Sequence, residues 1–112
     1  MSTQASRDPY SYTTASARRA LLGQTPSPLR AYSFALNEGA KQVTFKAEVE
    51  RELTEEEREN LAVAETEVYA DGIFGDATEI ETVVEVVPLG RPLHPLPGGV
   101  AYLREGERAI AV

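Results

Sequence analysis

Residues 42–49 alternate without a break. Val43, Phe45, Ala47 and Val49 fall on one side of an extended chain, and Gln42, Thr44, Lys46 and Glu48 on the other. That is the period-two signature of a strand. In 29–36, Tyr32, Phe34 and Leu36 alternate only loosely with Arg30, Ser33 and Ala35, but aromatics at period two favour a strand over a helix. Asn37-Glu38-Gly39-Ala40 between them is turn chemistry, so the two form a hairpin. A third alternation runs over 78–87. Ile80, Val84 and Val86 share a face with Thr82, while Glu79, Glu81 and Glu85 share the other with Val83 and Val87. This predicts a sheet with one covered and one wet face. A loop over 88–99, rich in proline and glycine, leads to a fourth strand at 100–104.

The period lengthens to that of a helix twice. Thr13 or Thr14 can cap a short first helix over 15–22, and Gly23 is a natural stop. Ala17, Leu21 and Leu22 would face the core, with Arg18 and Arg19 outward, and the prolines at 26 and 28 prevent continuation. Thr54 followed by Glu57 is a capping box that opens a second helix over 54–71. Its stripe of Leu61, Ala64 and Val68 should pack on the sheet face bearing Phe45 and Val84 or Val83. Asp71-Gly72 ends that helix, and Gly75-Asp76 continues the turn. The order αββαββ predicts an α+β fold with a four-stranded antiparallel or mixed sheet and two helices on one face. The second and third strands, joined through a helix, should run parallel. No internal repeat is visible. The length suits a single domain over 1–112, with its core at about 15–105 and a flexible lead-in over 1–12.

Charge changes the picture more than composition does. The net charge of −7 is concentrated: 51–82 holds two basic and eleven acidic side chains, against six and four in 1–50 and three of each in 83–112. Such a surface repels nucleic acid and anionic membranes and attracts basic proteins. There is no cysteine, hence no disulfide or thiolate chemistry. No apolar run has the length of a signal peptide or membrane span, and the expected location is cytoplasmic.

No motif carries catalysis. His94, the sole histidine, lies among prolines with no cysteine or nucleophile motif to serve. The glutamates at 55–59 lie on a helix, and the Asp71-Gly72-Ile73-Phe74-Gly75-Asp76 turn has too few acidic ligands for a calcium loop. Gly98-Gly99 lacks the lysine and helix of a phosphate cradle and should serve only to turn the chain. Arg18, Arg19 and Arg30, with Tyr10 and Tyr12, are too few for a nucleic-acid footprint beside so acidic a segment. The expected protein has no catalytic or metal-binding residues and needs no cofactor. Its candidate partner-binding residues are Glu55, Glu56, Glu59, Glu67, Glu79, Glu81 and Glu85, with Tyr69 as an aromatic anchor beside them.

Three blocks carry a resemblance. The first is Ala17-Arg18-Arg19-Ala20-Leu21-Leu22-Gly23 with Pro28-Leu29-Arg30-Ala31. The second is Leu53-Thr54-Glu55-Glu56 with Glu65-Thr66-Glu67-Val68-Tyr69-Ala70-Asp71. The third is Pro92-Leu93, Pro95-Leu96-Pro97 and Val100-Ala101-Tyr102-Leu103-Arg104. Together, over about 15–105, they resemble a group of small acidic bacterial proteins of mostly unassigned activity. Some similar proteins are immunity proteins of contact-dependent growth inhibition systems. The resemblance implies a helix–hairpin–helix–hairpin layout and a non-catalytic module whose partner is a basic toxin domain, a nuclease being one such toxin. It carries over no catalytic residue. The rival expectations are an interaction or scaffold protein without a toxin partner, and a small enzyme working through carboxylates alone.

Overall fold

The computed structural model describes residues 8–76 and 78–107. Most of the expected lead-in (1–7) and the end of the tail (108–112) lie outside the described residues. The elements are α1 (Pro9–Leu21), β1 (Leu29–Asn37), β2 (Gln42–Val49), α2 (Glu55–Ala70), β3 (Ile73–Asp76), β4 (Glu79–Val86) and β5 (Gly99–Leu103). The strand order is β4-β2-β1-β5, with β1 antiparallel to both β2 and β5 and β2 parallel to β4. The fold is therefore α+β with an open, mixed four-stranded sheet. Short β3, outside that sheet, was not foreseen. It follows Gly72 and contains Gly75, glycines with φ of 61° and 83° that gave the segment the composition of a turn.

α1 starts earlier than its threonines suggested. Asp8 is the N-cap, its carboxylate accepting from the Tyr10 N–H at 3.0 Å, and Pro9 occupies the first helical position. Thr13 and Thr14 lie inside the helix, their hydroxyls donating back to the Pro9 and Tyr10 carbonyls. Leu22 is the C-cap in extended conformation and is exposed, contrary to expectation. Ala20 takes the inward place instead.

One core joins both helices to one sheet face. Ala17, Ala20 and Leu21 of α1 and Leu61, Ala64 and Val68 of α2 cluster with Tyr32, Phe34, Val43, Phe45, Ala47 and Val49. Tyr32 stacks on Phe45 at 4.8 Å between ring centroids, and Phe34 meets Phe45 edge-on at 6.2 Å. The α2 stripe is the expected one, and Leu61 shares its outer flank with Val84 rather than Val83.

The reverse face is not uniformly wet. The loop between β4 and β5 crosses behind β1 and β2 and is pinned there. Leu93 is buried with Ala31 and Val87. The His94 N–H donates to Glu48 Oε2 at 2.7 Å, the Leu96 N–H to Ser33 Oγ at 2.8 Å, and Lys46 Nζ to the His94 carbonyl at 2.6 Å. Glu48 and Ser33 are fully buried as a result. Arg30 is consumed here as well, donating to the Val87 and Pro88 carbonyls and pairing bidentately with Glu107. Gly98-Gly99 is a close approach rather than a simple turn, since a Cβ on Gly98 would stand 2.5 Å from the Phe34 carbonyl oxygen. β4 keeps its reverse face open along its length, with Glu79, Glu81, Val83 and Glu85 exposed.

Leu61→Ala should destabilise the fold by ~2–5 kcal/mol, the range for truncating a buried leucine. Urea unfolding of the variant checks this, and a change below about 0.5 kcal/mol would place Leu61 outside the core.

Candidate protein-binding surface

α2 is built to begin where the acid begins. Leu53 is buried and fixes the entry, and Thr54 Oγ1 accepts from the Glu57 N–H at 3.2 Å. The Glu57 carboxylate in turn accepts from the Thr54 N–H at 2.8 Å, completing the capping box. Arg51 closes on the same carboxylate with two bonds of 3.0 Å. The Arg51 guanidinium, with the Thr54 N–H second, holds the Glu57 carboxyl down at about 2.

At the other end, Asp71 clamps the two helices. It accepts from Ser16 Oγ at 2.5 Å and from Arg19 at 2.6 Å, while the Tyr12 hydroxyl donates to its backbone carbonyl at 2.8 Å. A carboxylate at a helix C-terminus opposes the helix dipole, and Arg19 offsets that. Arg18 donates to the Ala101 carbonyl at 3.2 Å. The arginines and Tyr12 of the first helix are thus committed inside the molecule.

Two sets of acidic residues bear on this surface; Asp8, Glu38 and Glu105, also exposed and without an ion pair among the described residues, lie outside the segment 51–82. Glu50, Glu52, Glu57, Asp71 and Glu107 pair with arginines, and Glu48 and Glu85 flank Lys46 at 3.9 and 3.1 Å. Glu55, Glu56, Glu59, Glu67, Glu79 and Glu81 are exposed and make no ion pair among the described residues. Of the eight residues singled out from sequence, Glu85 alone is held by an internal cation.

The structure brings some of the eight together and separates others. Tyr69, half exposed, lines a depression of about 510 Å³ with Thr66, Glu65, Thr78, Glu79, Ile80 and Glu81. A second depression of about 210 Å³ continues between α2 and β4, lined by Arg58, Leu61, Ala62, Glu65, Thr82 and Val84. Glu55, Glu56, Glu59 and Glu67 line neither. Glu79, Glu81 and Glu85 are on the sheet face turned away from α2, alternating with Ile80, Thr82 and Val84 on the near face. The acid therefore wraps around the outer strand rather than forming one flat face. Glu65 was missed by the sequence reading. It lines both depressions, and its carboxylate accepts from Thr82 Oγ1 at 2.6 Å. The spacing Leu61, Glu65, Tyr69 along one helix flank is the signal that could have found it.

His94 is exposed and uses its backbone N–H and carbonyl, not its ring, to dock the loop. Among the described residues no group of three His, Asp or Glu side chains is placed to hold a metal ion. The side chain of Asp76, the second aspartate of the turn considered for a cation, lies outside the described residues. No helix among the described residues is long and apolar enough to cross a membrane.

An α+β domain that leaves Glu55, Glu56, Glu59, Glu67, Glu79 and Glu81 exposed and without an ion pair among the described residues is of the class that offers an acidic surface. The chain belongs to the MafI2 immunity protein family, whose model matches residues 12–106. No curated protein matches the chain.

The Glu57 carboxyl is depressed from its ordinary 4.5 to about 2 in the folded chain. Its contribution to stability is therefore complete above about pH 4.5 and is lost as the pH falls toward 2. Glu57→Gln should be less stable than the parent at neutral pH and should flatten the decline in stability across that window. Urea unfolding at stepped pH checks both effects, and parallel profiles would show that the pair contributes nothing.

Proposed function

We propose that the protein is an immunity protein that binds a cognate bacterial toxin and neutralises it by occupancy, presenting the acid of α2 and β4 to a basic surface. The observation that carries this reading is the division of the carboxylates. Arg19, Arg30, Lys46, Arg51, Arg58 and Arg104 are paired with other acids, while Glu55, Glu56, Glu59, Glu67, Glu79 and Glu81 make no ion pair among the described residues and keep their charge for a partner. Membership of an immunity family supports a toxin as that partner. A nuclease toxin suits this surface, because its phosphate-binding cleft is basic and carboxylates can stand where phosphates would. Tyr69, half exposed at the end of the acidic helix, supplies an aromatic anchor.

The reading requires no catalysis. An inhibitor that fills or covers a site makes and breaks no bond, and its demands are shape, charge and speed. Exposed carboxylates of one sign act mainly on the association rate, which matters against a lethal target in the same cytoplasm.

The triple variant Glu55→Lys, Glu59→Lys, Glu67→Lys should remain folded. It should associate with its cognate toxin domain about 10-fold or more slowly at low salt, within the range that steering supplies. The difference should narrow at moderate salt as the charges are screened. Unchanged affinity and unchanged salt dependence would refute the role of this surface. His94→Ala should leave neutralisation in a toxicity assay intact, and its loss in a folded variant would reopen the case for chemistry at the loop.

A further inference from the structure

β4 is the outer strand of the sheet on the side away from β5, and no strand pairs with its free edge among the described residues. Its eight residues are unusual for an edge. Val83, Val84 and Val86 are each more than two-fifths exposed, and no proline or lysine interrupts the strand. Long apolar edges invite another strand, and native proteins normally blunt them.

The ladder shows which groups are free. Glu79 donates to the Lys41 carbonyl at 2.9 Å, and Val87 to the Val49 carbonyl at 2.7 Å, so the odd-numbered residues face β2. The backbone N–H and C=O groups of Ile80, Thr82, Val84 and Val86 therefore point outward, at the spacing an added strand requires. Along the same edge the two faces differ. The α2 side offers the depression in which Leu61, Ala62 and Val84 stand beside Arg58, Glu65 and Thr82, and the other side offers Glu79 and Glu81, which make no ion pair among the described residues.

We propose that the β4 edge takes up an extended segment of the toxin as an additional strand, one that carries Lys or Arg at every second position. Basic side chains on alternate residues fall beside Glu79 and Glu81, and the intervening apolar ones enter the depression between β4 and α2. Main-chain bonds supply affinity, and the two unlike rows supply register and specificity. A second copy of the chain does not fit. Two β4 strands paired edge to edge would set glutamate rows against each other, which is destabilising across a strand pair. The inference rests on the reading of the protein as a toxin-binding module and assigns its docking mode.

The test uses the full chain and its cognate toxin domain. Val84→Pro removes one outward N–H that the sheet does not use, and prolines are accepted at such edge positions. It should keep the fold but weaken toxin binding by at least about tenfold, one backbone bond with its register, and by clearly more than Val84→Ala, which trims the same side chain but keeps the N–H. In the wild-type complex, hydrogen exchange followed by NMR should slow at the Ile80, Thr82, Val84 and Val86 amides specifically, a readout that does not depend on how the proline variant folds. If the toxin binds but these four amides exchange as in the free chain, or folded Val84→Pro binds like the parent, the edge is not the docking site and the toxin-binding reading stands. If the free chain already protects those amides by forming a dimer on sizing with light scattering, the occupant is a second copy and the inference is overturned. If the wild-type chain does not bind the toxin at all, the functional reading itself fails.

Discussion

The parallel pairing of β2 with β4 governs the arrangement of everything acidic in this protein. Parallel neighbours cannot be joined by a tight turn, so the chain must cross over the sheet, and α2 is that crossover. The crossover delivers the segment 51–82 to one side of the sheet: the helix lies over its core face, and the strand that follows becomes the outer edge. A stretch in which acids outnumber bases eleven to two is thus gathered along one flank. Had strand four paired antiparallel on the other side, beside β1, the same residues would have been divided by the width of the sheet.

The opposite flank is closed by different means. The loop after β4 runs back behind β2 and β1, and its hold on them is polar: a fully buried carboxylate, a buried hydroxyl and a lysine meet backbone groups of His94 and Leu96. A buried carboxylate is costly unless it is bonded, so Glu48 makes the docked loop the only comfortable arrangement. Lys46 lies between Glu48 and Glu85 and relieves the repulsion between glutamates on adjacent strands, which are paired in register. The central strands are largely covered on both faces, whereas β4 leaves Val83, Val84 and Val86 more than two-fifths exposed, and that difference makes β4 the strand on which the docking proposal rests.

Much of this was legible from residue pattern. The capping box at Thr54 and Glu57, the α2 stripe, the alternation of β2 and β4 and the hairpin between β1 and β2 all express local rules that tertiary structure did not override. The looseness of alternation in β1 had a cause the sequence could not show. Its residues 29–34 are all buried because helices cover one face and the loop covers the other, so neither face had to be polar. Asp8-Pro9 carried the start of α1 and was passed over in favour of two threonines that turned out to bond within the helix. β3 was hidden by its glycines. Within the candidate surface, charge was legible but sidedness was not. Period two placed Glu79 and Glu81 on one face of β4, yet only the register and the path of α2 show that this is the face turned away from the helix, and that Glu65 belongs with Tyr69.

An exposed apolar edge and an acidic surface have opposite consequences when taken alone. Valines at 83, 84 and 86 would draw any extended chain, including another copy of this one, and a uniformly acidic surface would draw any basic body. On β4 the two are interleaved along one strand. The glutamates remove like strands by repulsion, and the outward backbone groups and valines remove basic partners that cannot present an extended segment. Discrimination of the proposed kind needs no moving part, only a strand whose two faces differ. Lys46 adds a link between the two sides of this arrangement: its nitrogen is drawn toward the loop by the His94 carbonyl at 2.6 Å and toward the distant end of β4 by Glu85 at 3.1 Å. The docking of the loop behind β2 and the pairing of Glu85, the one glutamate of β4 held by an internal cation, are thus two results of one lysine's placement.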